Sequence, residues 1–178
     1  MNEVIELSSD DEEPSVANSW HDITDFVDVI VLGPPKSKRT FPQFVNPGAQ
    51  EEATFRNLFL QSLQVSYGWV PTLPICHSLE AVELEITFYR KLPMSFFVGD
   101  NQQSGLRNPN LLGTRPLDTQ VPNIGNLATF VFDSLHGVLY ADDSQLVKVV
   151  MLKTYHMDPP FTGKTLIKFK TSTNSLVL

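Results

Sequence analysis

The chain has a single cysteine, Cys76, among 178 residues. One thiol excludes an internal disulfide and with it the disulfide-stapled class of small secreted folds; a reducing compartment is the expectation. No apolar run approaches the roughly 18 residues that a membrane span needs, so no membrane partner is expected. The first seven residues, MNEVIEL, hold no base, whereas a secretory signal begins with them. The four histidines, His21, His77, His136 and His156, are scattered without metal-ligand spacing, and one cysteine completes no zinc pattern. The glycines, Ser104-Gly105 included, form no phosphate-cradling loop. There are no internal repeats.

What is present suits one domain of ordinary size. Apolar residues make up 42% of the chain, enough for a core. The net charge of −7 is unevenly spread. Glu3, Glu6, Asp10, Asp11, Glu12 and Glu13 fall in the first thirteen residues, which contain no Lys or Arg. Removing them leaves fourteen acids against thirteen bases. A near-neutral domain with an acidic tail gives no positive sign of nucleic-acid binding by charge alone. The expected division is a tail over 1–22 and a folded domain over 23–178.

Along the chain, FVDVIVL (Phe26 to Leu32) reads as a first strand. A Pro-punctuated turn, GPPKSKR, follows. In NPGAQEEATFRNLFLQSLQ, Asn46 suits a helix cap, Pro47 the first position, and Glu51 and Glu52 the positive N-terminal end. Phe55, Leu58, Phe59 and Leu63 make its apolar stripe. Val82, Leu84, Ile86 and Phe88 alternate with polar residues and predict a strand with one buried face. From Lys91 to Val121 no periodicity is usable, which is long for a loop in a compact domain. Asn126 suits the cap of a second helix, LATFVFDSL, with Leu127, Phe130, Val131 and Leu135 on its apolar face and Gly137 placed to end it. Val147 to Leu152 and Leu166 to Phe169 predict two more strands. The expected class is α/β (α+β): a mixed sheet with helices packed mainly on one face.

The central segment carries the chemistry. Asn123-Ile124-Gly125-Asn126-Leu127 is followed by Phe132-Asp133-Ser134-Leu135, Gly137 and Asp142-Asp143-Ser144-Gln145-Leu146. In order and spacing this resembles the RusA family of Holliday-junction resolvases, whose pattern is D-x-D-N-L, a helix ending in F/L-D-A-L, Gly, and D-D-x-Q-V/I. The resemblance runs from about Phe26 to Lys170. It implies a homodimeric, Mg²⁺-dependent endonuclease that cuts four-way DNA junctions.

The family motif gathers carboxylates because Mg²⁺ is a hard cation that takes oxygen ligands. The metal polarises the phosphodiester and lowers the pKa of the attacking water. A lysine on the first turn of the helix stabilises charge developing on the phosphate. Here the first Asp is Asn123, the second is Gly125 and the lysine is Thr129. At an effective dielectric near 20, one unit charge about 4 Å from another contributes roughly 4 kcal/mol, before desolvation opposes it. Losing two carboxylates therefore predicts an impaired catalytic site. Asp142 and Asp143 remain as residual metal ligands, with Mg²⁺ as cofactor if the protein is active and none otherwise. Asp118, seven residues before Gly125 in the loop, and Glu85, on the preceding strand, are the acids that a rescued site would draw on.

Each retained residue also has a structural reading. Asp142 and Asp143 suit a tight turn and its cap, Asp133 a helix surface, and His136 a helix end. Lys36, Lys38, Arg39, Arg90 and Lys91 form a candidate basic rim for DNA phosphates, set against ordinary solvated surface; salt-dependent binding separates the two.

The tail segment Val4-Ile5-Glu6-Leu7, followed by Ser8, Ser9 and the acidic run, resembles a SUMO-interacting motif. Such a segment adds a strand to an exposed sheet edge of SUMO or of a SUMOylated protein, and its acids steer the encounter. Ser8 and Ser9, each with an acid three residues on, resemble acidophilic phosphorylation sites that would add charge. The resemblance implies a nuclear protein; the alternative is a solubilising tail. Three functions compete: a catalytically impaired domain that binds branched DNA or scaffolds through its tail, an active divergent junction endonuclease, and a protein-interaction module without DNA affinity.

Overall fold

The structure is a computed structural model that describes residues 25–36, 48–68, 71–98, 120 and 122–173. Residues of the tail, together with Lys38, Arg39, Asn46, Pro47 and Asp118, lie outside that set.

Strand β1 (Val27–Leu32) alternates as its composition predicts: Val27, Val29 and Val31 point inward while Asp28, Ile30 and Leu32 face out. Helix α1 (Gly48–Tyr67) buries Phe55, Phe59 and Leu63. Leu58, expected on that stripe, is exposed instead. At 3.6 residues per turn it lies about 100° from the centre of the other three, which puts it on the flank. Strand β2 (Glu80–Arg90) buries Val82, Leu84, Ile86 and Phe88 and extends two residues beyond the predicted run at each end.

Helix α2 (Ile124–Leu135) buries Leu127, Phe130, Val131 and Leu135. Each such side chain contributes roughly 1.5–3 kcal/mol on leaving water. Gly137, at φ +74°, sits just beyond the C-cap His136 in the left-handed region that favours glycine. Strands β3 (Leu146–Tyr155) and β4 (Lys164–Thr173) are longer than predicted. In β4 the inward alternation continues through Thr165, Ile167, Phe169 and Thr171, so polar threonines hid its true length.

Among the described residues the four strands form one sheet in the order β1-β4-β2-β3. β2 and β3 run parallel; the β1–β4 and β4–β2 pairs are antiparallel. The sheet is mixed, and both helices cover the same face in one core with β1, β2 and β4. Phe55 of α1 meets Phe130 of α2 edge to face at 5.5 Å. A second small core joins Leu92 and Phe97, from the stretch without periodicity, to Tyr155 and Phe161.

Gly163, at φ +90°, fixes one end of the sheet. A Cβ there would stand 2.7 Å from the carbonyl oxygen of Tyr89 and 3.2 Å from both Lys91 N and Pro34 Cα. Only a glycine lets these three backbone segments approach so closely.

Candidate nucleic-acid interface and a divided acidic site

Helix α2 begins earlier than its apolar stripe suggests. Its N-cap is Asn123, not Asn126: the Asn123 side chain accepts from the backbone N–H of Asn126 at 2.8 Å. Ile124 and Gly125 then form the first turn. Thr129, where the family places lysine, donates its hydroxyl back to the carbonyl of Gly125 at 3.0 Å. The three altered positions thus serve the helix itself or carry no side chain.

The two retained acids lie past the far end of α2. Asp142 caps a short 3-10 turn (Asp143–Gln145), its carboxylate accepting from Ser144 N at 2.8 Å. Hydrogen bonding from Ser144 holds its pKa below the ordinary carboxylate value, with His136 nearby assisting. Asp143 stands beside Tyr140. Burial raises the Tyr140 pKa, and the charges of Asp143 and Asp133 raise it further. The Tyr140 hydroxyl donates to the Phe132 carbonyl at 3.1 Å and lies within reach of Asp143; its one proton serves one acceptor at a time.

Helix α2 therefore separates the two halves of the motif. Twelve residues at 1.5 Å rise make about 18 Å of helix between Asn123 and the Asp142 turn. β3 then runs back along α2, so that Lys153, near its far end, donates to the carbonyls of Gln120 and, at 3.0 Å, Pro122. Nor does Glu85 close the gap: it alternates with Leu84 and Ile86 and so lies on the sheet face opposite the helices. Among the described residues no group of three His, Cys, Asp or Glu could hold a metal ion. The donors described do not fit Mg²⁺ within one chain: two carboxylates stand at one end of α2 and one neutral, already bonded amide at the other.

The basic rim gathers at the Asn123 end. Leu32 of β1 and Tyr89 of β2 both pair with Lys164 at the start of β4. Gly33 N bonds Gly163 O at 3.2 Å, and Lys36 reaches Glu51 in the first turn of α1 at 3.4 Å. Arg90 pairs with Tyr155 across the β2–β3 ladder. So Lys36, Arg90, Lys91, Lys153 and Lys164 share one end of the sheet with the N-termini of both helices, whose dipoles add positive potential there. Glu51, Glu52 and Asp158 temper it.

The family profile described as Endodeoxyribonuclease RusA matches residues 53–162, more than half of the chain. The chain belongs to the RusA family. No curated protein matches it. The RusA match supports a Holliday-junction resolvase-family domain, and the mixed α/β fold with its helix, glycine and Asp-Asp turn agrees with it.

Two residues of this RusA domain were missed as structural keys. Gln145 is buried; its side chain accepts from Ala141 N and Asp142 N and donates to the carbonyls of His77 and Glu80. Its position three residues after Asp142 is capping-box spacing, a signal present in the sequence. Lys153 opposes Phe88 on the helix-covered face of the sheet. A lysine two residues beyond Met151 on the same face was its signal.

Proposed function

We propose that this RusA-family domain binds branched DNA at the basic end of its sheet and does not cut it by the family's metal chemistry. The observation that carries the reading is the division of the motif: Asn123 caps α2, Gly125 offers no ligand, and Asp142 and Asp143 sit a helix length away. The surface formed by Lys36, Arg90, Lys91 and the two helix N-termini suits phosphate, with Lys38 and Arg39 adjacent in sequence. Helix N-termini present backbone N–H groups to anions, and Lys and Arg release counterions on contact. The tail residues Val4 to Leu7 add a SUMO-dependent recruiting function, with Ser8 and Ser9 as its phosphorylation sites, in a nuclear, homodimeric protein.

The test pairs binding with cleavage. Fluorescence anisotropy on four-way and linear duplexes at two salt concentrations should show tighter junction binding that weakens with salt. Replacing Arg90 and Lys91 with Ala should reduce the slope of log K against log salt by up to about two. The same junctions, incubated with Mg²⁺ or Mn²⁺, should remain whole. Efficient cutting that is lost on Asp142→Asn would overturn the impaired reading. Loss of all DNA affinity would overturn the binding reading and favour an interaction module.

A further inference from the structure

An apolar groove of about 260 Å³ opens between the end of β1 and the first turns of α1. Val31, Leu32, Thr54, Phe55 and Leu58 line it, with Lys36 at its rim. Leu32 is 73% exposed and Leu58 37%. The groove is smaller than the roughly 300–1,000 Å³ of ordinary ligand pockets, so it suits a few aliphatic side chains better than a cofactor.

The backbone beside the groove is open as well. β1 is an outer strand of the sheet, and among the described residues no strand pairs with its free side. Along an antiparallel pair, alternate residues turn both N–H and C=O to the same side. Asp28 turns its pair outward, where the Tyr67 hydroxyl takes both: it accepts from Asp28 N at 3.1 Å or donates to Asp28 O at 3.2 Å. Ile30 and Leu32 share that parity and turn theirs outward beside the groove. Natural edges are guarded by charge, proline or a covering element; here the side chains at 30 and 32 are apolar and exposed.

The chain carries a segment of matching chemistry. Val4-Ile5-Glu6-Leu7 is apolar at alternate positions and is followed by Asp10, Asp11, Glu12 and Glu13. The groove ends at the basic end of the sheet, with Lys36, Arg90, Lys91 and Lys164; Glu51, Glu52 and Asp158 are the opposing acids. Lys36 is held only by an exposed pair with Glu51, a contact of little energetic weight. Length permits the match. A parallel strand needs a connection of about a dozen residues or more, and residues 8–24 join Leu7 to Asp25. They can reach roughly 60 Å, whereas the six residues of β1 cover about 20 Å.

We propose that Val4-Ile5-Glu6-Leu7 adds to the free edge of β1 in its own chain as a parallel strand, seats Ile5 and Leu7 in the groove, and lays Asp10 to Glu13 on the basic end. The parallel direction is the one that carries the acids past Leu32 toward Lys36. The tail and DNA phosphates then compete for one surface. A partner that captures Val4 to Leu7 by strand addition frees that surface. The competition rests on the proposed DNA binding; the docking does not.

The test uses the full chain, in which Cys76 is buried. Leu7→Cys with Leu58→Cys should close a disulfide with oxidised glutathione at least tenfold faster than Leu7→Cys with Val65→Cys. Val65 is exposed, two turns further along the same face of α1 and nearer the Tyr67–Asp28 contact where the tail joins, so an undocked tail reaches it first. Equal or faster closure at 65 overturns the docking. A product of twice the chain mass on a non-reducing denaturing gel overturns docking within one chain. Raising NaCl from 50 to 500 mM should lower the ratio of the two rates at least threefold, and an unchanged ratio overturns the acid-to-base arrangement. Ile5→Ser with Leu7→Ser keeps the tail charge and should tighten binding to a four-way junction at least threefold at 50 mM NaCl. Unchanged affinity overturns the competition. A parent that closes the disulfide at 58 but binds no junction sinks the proposed function and leaves the docking standing.

Discussion

The side-chain oxygen of Asn123 holds the backbone N–H of Asn126 at 2.8 Å. This bond makes the residue at the family's first metal position a helix cap. Removing the cap with Asn123→Ala should cost about 1 kcal/mol of stability. Gly125→Asp should do the opposite. A Cβ at 125 would meet only the Asn123 side chain, at an ordinary 3.5 Å. An acid replacing glycine in the first turn stabilises by about 0.5–1 kcal/mol. Urea midpoints of the two variants against the parent decide both signs.

Gln145 bridges the Asp142 turn to the start of β2 through four hydrogen bonds. Gln145→Leu leaves two backbone N–H groups and two carbonyls to find other partners. The expected loss is roughly 2–4 kcal/mol. Amide exchange at Ala141 and Asp142 should quicken more than exchange in α1. Equal quickening everywhere would show a global effect and not a local clip.

Acid should destabilise the fold in two stages. His156 is buried, and its Nδ1 accepts from Gly163 N at 3.3 Å. Burial, helped by Lys164, holds its pKa below the ordinary 6.5. As pH falls through 6.5 the unfolded chain takes up a proton that the folded chain refuses, so stability drops. Glu83 lies between Lys148 and Lys170, at 3.2 and 3.3 Å. Its pKa is lowered below 4.5, chiefly by the bond from Lys148. Its contribution is present above that value and is lost as pH falls through the folded pKa. Melting temperature against pH should therefore decline first between 7 and 5 and again below 4.5. His156→Gln should flatten the first decline, and Glu83→Gln the second.

Cys76 is buried, and burial together with Glu80 pushes its thiol up to about 12. At pH 8 the native protein should leave a chromogenic thiol reagent unreacted for hours, whereas the urea-unfolded chain should react at once. Rapid labelling of the native form would show that the start of β2 opens readily.

Much of the architecture was legible because apolar residues recur with the period of each element. Val27, Val29 and Val31 spelled a strand, as did Val82 to Phe88, and the stripe of α2 named its four large buried apolar residues but not the small Ala128 and Ser134 between them. Apart from Leu58, an apolar residue on the flank of its stripe, the errors share one cause: polar residues act locally in ways that periodicity does not encode. Asn126 and Asn123 are equal as caps in composition, and only the backbone path chose between them. Thr165 and Thr171 are buried yet look like solvent-facing positions. The candidate site was less legible. Spacing in sequence brought Asn123, Gly125, Asp142 and Asp143 into one motif, but spacing cannot say that the intervening helix runs straight between them.

Gly163 has a consequence for any ligand at the basic end. The backbones leading to Lys36 and Lys91 pass within van der Waals distance of it, so a missing side chain sets the gauge between those charges. Even a methyl group at this position would wedge the two exits apart and change the spacing of phosphates they could grip, while leaving every charged residue in place.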